Sequence, residues 1–306
     1  MYYYRIYGRK IESDIEFMQL VPDETTQEAD IYIYRRNTDA DIVELMKESY
    51  TLVGADESWF HNKTLRCVVR DGKYIYYEPY QNINEQYLRT YILGYGLSML
   101  FLQQNKLAIH GSCIRRDEQA FIISGVSGAG KSTLTSQFLS AGYEFMADDI
   151  TLVDGEGSPV MAYPCFPYQK LCRDVVDRRN LNTDDLIYID EDKDKYLVKW
   201  DGKYSTQGAA VATLIVILVG DEECQLTIEE AVGFEKLQYI VDNLFLRRAI
   251  LFKENNPQVI KLCLDVASKI RILVVTRPYG QNTAQMQLEL IEQKLRQFNM
   301  KEEKIC

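Results

Sequence analysis

The chain has 306 residues, 46% of them hydrophobic, and a net charge of −10 at pH 7. This length and composition predict two folded domains and exclude a disordered or fibrous protein. The acidic balance disfavours nucleic acid and anionic membrane surfaces as partners. Seven scattered cysteines without a C-x-x-C pair indicate neither a disulfide framework nor a zinc site, so we expect a cytoplasmic setting. The longest nearly apolar runs, residues 91–102 and 209–219, are shorter than the ~20 residues that a membrane span needs.

Residues 1–83 are predicted to form a small N-terminal α+β domain. Short β-branched and aromatic runs at residues 2–7, 31–34, 66–69 and 74–77 are typical of strands. The dipeptide Asp71-Gly72 predicts a hairpin between the last two runs. Between these strands, residues 40–50 predict a short helix with Ile42, Leu45 and Met46 on one face.

Residues 84–105 predict a bridging helix that begins at a capping residue, Asn84. Residues 106–306 then mix helical stretches with strand-like runs, which predicts an α/β catalytic domain. The strand-like runs are residues 107–109, 120–123, 144–146, 150–153, 211–219 and 270–275. Residues 214–219 are apolar on both faces, as expected for a central strand.

The final helical stretch and one charged stretch complete this outline. Residues 282–297 have the spacing of an amphipathic helix packed on a core, with a partner-binding helix as the alternative. Its apolar stripe consists of Ala284, Leu288, Ile291, Leu295 and Phe298. The charged residues 190–195 are predicted to form a solvated loop.

A glycine-rich motif follows the strand-like residues 121–124. The residues from Gly125 to Ser132 match G-x-x-x-x-G-K-[ST] at every fixed position, and residues 133–140 supply the helix that should follow. Glycines let the backbone curl around phosphate oxygens and aim its N–H groups at them. Lys131 would reach the β- and γ-phosphates and Ser132 would ligate Mg²⁺. The predicted nucleotide-binding residues are Gly125, Ser127, Gly128, Ala129, Gly130, Lys131, Ser132 and Thr133. The alternative is a Gly/Ser loop that binds nothing.

Two adjacent carboxylates, Asp148 and Asp149, follow the strand-like residues 143–147. In a parallel βαβ unit they would lie at the carboxyl end of the neighbouring strand, beside the bound phosphates. One carboxylate can hold Mg²⁺, for which we assign Asp148, while the other accepts the proton of an attacking hydroxyl. An exposed turn is the alternative interpretation of this pair.

Other candidates for the site are less specific. His110 ends the strand-like run 107–109, where it could contact phosphate or metal, although a core histidine is nearly as well supported. Residues 163–167 could line an acceptor cleft or form a structural loop. A phosphoryl transition state also needs positive charge beyond Lys131. Candidates for this group are Lys170, Arg173, Lys199, Arg247, Arg248 and Arg277.

These motifs together resemble the catalytic domain of the HPr kinase/phosphorylase family, and the related kinases of lasso-peptide gene clusters. The resemblance is carried by His110-Gly111, by the run from Gly125 to Ser132, and by Ala147-Asp148-Asp149. It implies a P-loop fold similar to that of ATP-dependent phosphoenolpyruvate carboxykinase. It also implies the use of ATP and Mg²⁺, homo-oligomers, and a serine of a small protein or peptide as the phosphate acceptor.

The resemblance assigns catalytic roles to Lys131, to His110, and to Asp149 or Asp148 as the base. This sequence departs from the family at Val126, where an acidic residue is usual. Two further hypotheses remain open from the residues alone: a small-molecule kinase, and a regulator that binds nucleotide without chemistry. The acidic pair favours catalysis, because a regulator needs no carboxylate base.

Overall fold

The computed structural model describes residues 1–190, 194–251 and 256–302. The first part of the chain forms a mixed sheet, whose strands are β1 (Tyr2–Ile6), β2 (Arg9–Ser13), β3 (Val21–Pro22), β4 (Ile31–Arg35), β5 (Thr51–Leu52), β6 (Glu57–His61), β7 (Leu65–Arg70) and β8 (Tyr74–Pro79). In space they follow the order β3-β1-β2-β4-β8-β7-β6-β5. Strand β4 is parallel to both β2 and β8, and the other pairs are antiparallel.

The predicted hairpin is confirmed. Strands β7 and β8 pair antiparallel, and Arg70 lies opposite Tyr74. Asp71 and Gly72 turn the chain with φ angles of 57° and 58°. This left-handed region is open to glycine and tolerated by aspartate, which explains why that dipeptide marks the turn.

Helix α1 (Ala40–Met46) is shorter than the sequence indicated. Ile42 and Met46 are buried in a small cluster with Trp59 and Val68. Leu45 is 53% exposed, so the prediction that it shares the buried face is wrong. Residues four apart stack on one helix face, whereas Leu45 lies about 100° around the axis from Met46.

The predicted bridging helix is present as three consecutive segments, which we call the connector helix: α2 (Glu85–Tyr91), a π-helical turn (Ile92–Gly96) and α3 (Leu97–Gln103). Asn84 caps it as predicted, because its side-chain oxygen accepts a hydrogen bond from the backbone N–H of Gln86. The sequence pattern did not indicate the π turn, a feature that is frequent at functional sites.

The remaining described residues form a second large sheet, a small sheet and several helices. The strands are β9 (Lys106–Arg116), β10 (Gln119–Gly125), β11 (Glu144–Ala147), β12 (Ile150–Asp154), β13 (Met161–Tyr163), β14 (Tyr168–Cys172), β15 (Ile187–Asp190), β16 (Lys195–Lys199), β17 (Ala209–Val219), β18 (Thr227–Glu230) and β19 (Arg271–Arg277). The helices are α4 (Lys131–Ser140), α5 (Arg173–Arg178), α6 (Phe234–Asp242), α7 (Arg247–Leu251), α8 (Pro257–Lys269) and α9 (Ala284–Glu302), with a 3₁₀ turn at Thr183–Asp185.

The second large sheet follows the order β10-β9-β12-β13-β17-β19-β18, and β10 also pairs with β17, so part of the sheet closes on itself. Strands β10, β17 and β19 run parallel to one another. The predicted mixed α/β character is therefore present. Strand β17 lies between two parallel neighbours and buries residues 214–217, as expected for a central strand, whereas Leu218 and Val219 are half-buried. The small sheet has the order β14-β16-β15.

The sequence predicted a parallel βαβ unit in which β10 and β11 are neighbouring strands. This strand pairing is wrong. Strand β11 does not lie next to β10, because it pairs antiparallel with β9, which also pairs antiparallel with β10. Two strands that are each antiparallel to β9 run in the same direction. The carboxyl ends of β10 and β11 therefore still lie close together, on either side of the middle of β9 near Gly111.

Apolar packing joins these layers. One continuous cluster runs from the first sheet through the connector helix into the second sheet, and includes Ile33, Leu100 and Leu152. A second cluster lies between the second sheet and helices α4 and α9. The amphipathic stripe of α9 is confirmed: Leu295 is half-buried, and the other four members are buried.

Two further findings concern the sequence predictions. The charged stretch 190–195 joins the end of β15 to the start of β16, and its central residues 191–193 lie outside the described residues. No helix within the described ranges combines the length and the apolar character that crossing a membrane requires.

Candidate active site

The glycine-rich loop connects the end of β10 to the start of α4. Three of its glycines adopt left-handed φ angles: 141° at Gly125, 82° at Gly128 and 103° at Gly130. A Cβ atom at Gly125 would lie 2.5 Å from the carbonyl oxygen of Ile217 on β17. Glycine is therefore required there both by backbone conformation and by the close approach of the neighbouring strand.

Two cations hold this loop. The Lys131 ammonium donates hydrogen bonds to the carbonyl oxygens of Gly125, at 2.8 Å, and Val126, at 3.2 Å. Arg277 at the end of β19 donates from Nε to the carbonyl oxygen of Ala129 at 2.7 Å, and from a terminal nitrogen to that of Gly128 at 3.3 Å. The loop is also closed within itself, because the N–H of Ala129 donates to the carbonyl oxygen of Val126 at 3.1 Å.

A cavity of about 860 Å³ opens beside the loop. Of the predicted site residues, Ser127, Gly128, Gly130, Lys131, Ser132, Thr133, His110, Asp148 and Asp149 line it. Gly125 and Ala129 do not, because both are buried beneath the loop. The remaining wall is built by the connector helix, β14, α5 and Phe245, together with Lys63, Ser112, Ile189 and Lys195.

Asp148 and Asp149 form a two-residue bend between β11 and β12, which both pair antiparallel with β9, so the acidic pair lies beside the middle of β9. Oδ1 of Asp148 accepts a hydrogen bond from the Ser112 hydroxyl at 2.6 Å, and its Oδ2 accepts one from the backbone N–H of Lys170 at 2.8 Å. The Lys170 ammonium lies 2.7 Å from Oδ2 of Asp149. The alternative of an exposed turn is excluded, because the Asp149 side chain is only 14% exposed.

The two carboxyl groups have opposite pKa shifts. Burial raises the pKa of Asp148 above its ordinary value, and the hydrogen bond from Ser112 only partly offsets this. Burial alone would also raise the pKa of Asp149, but the charge and hydrogen bond of Lys170, together with His110 and the charge of Lys195, outweigh burial and hold that pKa well below the ordinary range. Asp149 is therefore the carboxyl group that stays ionised most firmly, as one member of a buried ion pair.

His110 does not end a strand, as the sequence indicated, but lies within β9, which continues to Arg116 because β10 and β11 both pair with its later part. Its Nδ1 lies 3.0 Å from the backbone carbonyl oxygen of Asp149, to which a neutral imidazole would donate. Burial lowers the pKa of His110, which favours that neutral form. His110 thus supports the backbone of Asp149, whose φ is 67°.

Two of the six cationic candidates reach the site and the other four do not. Lys170 and Arg277 reach the site, the first at the acidic pair and the second behind the loop. Arg173 pairs with Asp177 and Arg247 with Asp242. Lys199 and Arg248 are exposed and do not line the cavity.

Sequence reasoning missed other residues of the site. Ser112 could have been found, because it lies two residues after His110 in one strand and so on the same face of the sheet. Tyr91, Tyr95 and Phe245 carried no such signal. Residues 164–167 link β13 to β14: Cys165 is buried, and the carbonyl of Pro164 accepts a hydrogen bond from the backbone N–H of Tyr7. Cys165 and Phe166 also line a small second cavity together with Asp148, Asp149 and Lys170, so both interpretations of residues 163–167, a cleft lining and a structural loop, stay predictions.

The residues present fit a nucleotide with Mg²⁺. A Cβ atom at Gly128 would have no neighbour within 4 Å, so the loop leaves open space where phosphate oxygens could approach its backbone. Within the described part of the chain, no group of three or more His, Cys, Asp and Glu side chains could form a metal cage. Two carboxylates and a hydroxyl suit Mg²⁺, which binds through one or two carboxylates together with substrate phosphates and water.

Comparisons with known proteins add little to this geometry. No protein-family model matches the chain, and no curated protein is similar to it at a significant level. Among solved structures, the chain is similar to the Hpr(Ser) kinase/phosphatase from Coxiella burnetii, with 14% sequence identity and a TM-score of 0.32. That match covers 64% of this chain and 98% of the other chain.

Proposed function

We propose that this chain is an ATP- and Mg²⁺-dependent kinase that transfers the γ-phosphoryl group to a serine hydroxyl of a small protein or peptide. The observation that carries the proposal is the single cavity in which the glycine-rich loop meets Asp148, Asp149 and Lys170. Phosphoryl transfer needs a cradle for the phosphates, a base at the acceptor hydroxyl and fixed positive charge. All three kinds of group line this cavity.

The loop would bind the phosphates of ATP. Its N–H groups and the amino end of α4 attract negative charge. The Lys131 ammonium would release the two loop carbonyl oxygens and donate instead to the β- and γ-phosphate oxygens, a change that needs only side-chain rotation. Arg277 acts as a positioning residue in this proposal, because it holds the carbonyl oxygens of Gly128 and Ala129 away from the phosphates.

The metal would be held by the hydroxyl of Ser132 and the carboxylate of Asp148. When bound, Mg²⁺ supplies charge neutralisation for the phosphate oxygens as negative charge shifts towards the leaving group.

Asp149 would act as the base. The serine O–H proton passes to the Asp149 carboxylate, the serine oxygen forms a bond to the γ-phosphorus, and the bond from that phosphorus to the β,γ-bridging oxygen breaks, which releases ADP. Lys170, 2.7 Å from Oδ2 of Asp149, keeps the carboxylate ionised before transfer and adds positive charge beside the reacting phosphoryl group. His110 fixes the backbone on which Asp149 stands.

Three expectations from the sequence extend the proposal. The scattered cysteines favour a cytoplasmic setting, and the motif resemblance favours a homo-oligomer. The pattern of strand-like and helical runs divides the chain into an N-terminal domain of residues 1–83, a bridging helix of residues 84–105 and a catalytic domain of residues 106–306. The resemblance also makes HPr protein one acceptor to test, together with serine-containing peptides.

The test is incubation of the purified protein with γ-labelled ATP, Mg²⁺ and these two acceptor pools, followed by mass spectrometry. We expect phosphoserine to form on one acceptor. It should not form when Mg²⁺ is chelated, nor with the variant Asp149→Asn. Asparagine tolerates a positive φ nearly as well as aspartate, so this variant should keep the backbone of the turn. ATP binding without transfer to either pool would contradict a serine kinase and favour a metabolite kinase or a nucleotide-binding regulator.

A further inference from the structure

One side of the cavity is an aromatic surface that the proposed chemistry does not use. Tyr91 and Tyr95 lie on the connector helix with ring centroids 6.1 Å apart, and Phe245 packs edge-on against Tyr95 at 5.5 Å. All three residues line the cavity. We call Tyr91, Tyr95 and Phe245 the aromatic wall. Tyr95 is 40% exposed, so part of its ring faces open space.

The wall is fixed to the catalytic sheet by backbone hydrogen bonds. The N–H of Phe245 donates to the carbonyl oxygen of Ala108 at 2.9 Å, and the N–H of His110 donates to that of Asn243 at 2.7 Å. The segment 243–245 therefore extends the sheet beside β9. The π turn of the connector helix packs directly against the Phe245 ring, because a Cβ atom at Gly94 would lie 3.7 Å from that ring.

The aromatic wall adjoins the acceptor side of the transfer centre. The Phe245 ring centroid lies 6.2 Å from that of His110, whose Nδ1 contacts the carbonyl oxygen of Asp149. The wall is thus separated from the proposed base by a single side chain, and any group bound on the wall would lie next to the hydroxyl that Asp149 deprotonates.

The nucleoside has a different wall available to it. Arg179, just after α5, donates to the Ser136 hydroxyl on the second turn of α4 at 2.8 Å, so α5 lies beside that helix. Asp174, Val175 and Arg178 of α5 line the cavity there. If the γ-phosphate lies at Asp149 and the other phosphates lie along the first turn of α4, the nucleoside would point towards α5 and away from the aromatic wall.

We propose that the aromatic wall binds an aromatic or large aliphatic side chain next to the acceptor serine, so that the substrate is a peptide segment carrying such a residue. This inference rests on the proposed function. Packing against exposed rings removes apolar surface of both partners from water, and the geometry of ring pairs adds orientation. Binding energy gained beside the reacting hydroxyl would place the serine for transfer.

The test uses a decapeptide library with one fixed central serine, all other positions varied, and γ-labelled ATP. We expect phosphopeptides from the unaltered protein to be enriched in Phe, Tyr, Trp, Leu or Met near the serine. Tyr95→Ala should reduce that enrichment by about fivefold, while Tyr95→Phe keeps it. Tyr50→Ala is the matched control, since Tyr50 is 78% exposed and outside this cavity.

The outcomes separate this inference from the function on which it rests. Two results would contradict an acceptor site on the aromatic wall without contradicting the kinase function. One is phosphopeptides with no enrichment in apolar residues, and the other is an enrichment that Tyr95→Ala does not change. Weaker binding of a fluorescent ATP analogue by Tyr95→Ala, with an unaltered thermal unfolding midpoint, would assign the wall to the adenine ring instead. No phosphopeptide at all would overturn the serine kinase and this inference together.

Discussion

The side-chain ammonium of Lys170 lies 2.7 Å from Oδ2 of Asp149, and the backbone N–H of the same lysine donates to Oδ2 of Asp148 at 2.8 Å. One residue of β14 thus engages both carboxylates of the acidic pair. The ammonium offsets the electrostatic cost of burying two acids side by side. Together with burial, it shifts the pKa values of the two carboxyl groups in opposite directions, up for Asp148 and down for Asp149.

Lys170→Gln should leave the two buried carboxyl groups without their cation. We expect the pKa of Asp149 to rise, because only His110 and Lys195 then oppose the effect of burial, and phosphotransfer to fall by at least about tenfold. Lys170→Arg keeps the charge and should retain more activity than Lys170→Gln. Transfer rates with saturating ATP measure both variants, and full turnover by Lys170→Gln would contradict the role assigned to this ion pair.

Lys131→Ala should weaken nucleotide binding by at least about tenfold, because it removes a charged donor that would contact the phosphates. Titration with a fluorescent ATP analogue measures the affinity. Lys47→Ala, just after α1, is the control, since its side chain is 64% exposed and pairs with Glu44 at 2.6 Å. Unchanged affinity in Lys131→Ala would remove the glycine-rich loop from the proposed nucleotide site.

Asp148→Asn separates the metal ligand from the base. The amide of asparagine can donate to the Ser112 oxygen and still accept from the Lys170 N–H, so both hydrogen bonds of Asp148 can be kept in altered form. We expect the Mg²⁺ concentration for half-maximal transfer to rise by about tenfold. Asp149→Asn, in contrast, should lose transfer at every Mg²⁺ concentration. If the two variants exchanged these behaviours, the two roles would be exchanged as well.

Gly111→Ala should destabilise the protein. Its Cβ atom would lie 2.5 Å from the carbonyl oxygen of Ile123 on the paired strand β10, and backbone cannot yield there without disturbing the sheet. We expect the free energy of unfolding to fall by about 1–3 kcal/mol. Gly157→Ala is the control, because the nearest atom to its Cβ would be 3.7 Å away. Equal urea midpoints for the two variants would contradict the close approach of β9 and β10.

Glu78→Gln should reduce stability only where Glu78 is ionised. Burial alone would raise the pKa of Glu78, but its hydrogen bonds from the Thr38 N–H and Arg66 hold that pKa below its ordinary value. A depressed pKa means that the carboxylate stabilises the fold above the unfolded-state pKa of about 4.3, and that this stabilisation is lost as pH falls further.

We therefore expect Glu78→Gln to lower the free energy of unfolding by about 1 kcal/mol at pH 7, and this difference to shrink as pH falls below about 4. Urea unfolding of both proteins at pH 7 and pH 3.5 measures it. Glu44→Gln, in an ion pair whose carboxylate is 69% exposed, should change stability by less than about 0.5 kcal/mol. A difference for Glu78→Gln that persists at low pH would exclude the charge as its source.

Sequence reasoning worked where structure is set by neighbouring residues. The hairpin at Asp71-Gly72, the cap at Asn84 and the stripe of α9 each depend on spacing within about 20 residues, and the structure contains all three. The same reasoning failed at Leu45 and in the pairing of β11, because burial of one face and the choice of strand partner are decided by distant parts of the chain.

The sequence by itself determined the order of strand, glycine-rich loop and helix, and the two adjacent acids, because the residue types and their spacing are local properties. Only the tertiary structure selected Lys170 among six cationic candidates and placed Tyr95 and Phe245 beside His110. Those contacts join residues from the connector helix, β9, β14 and the segment after α6. Their proximity depends on how the sheets pair and pack, which no local spacing encodes.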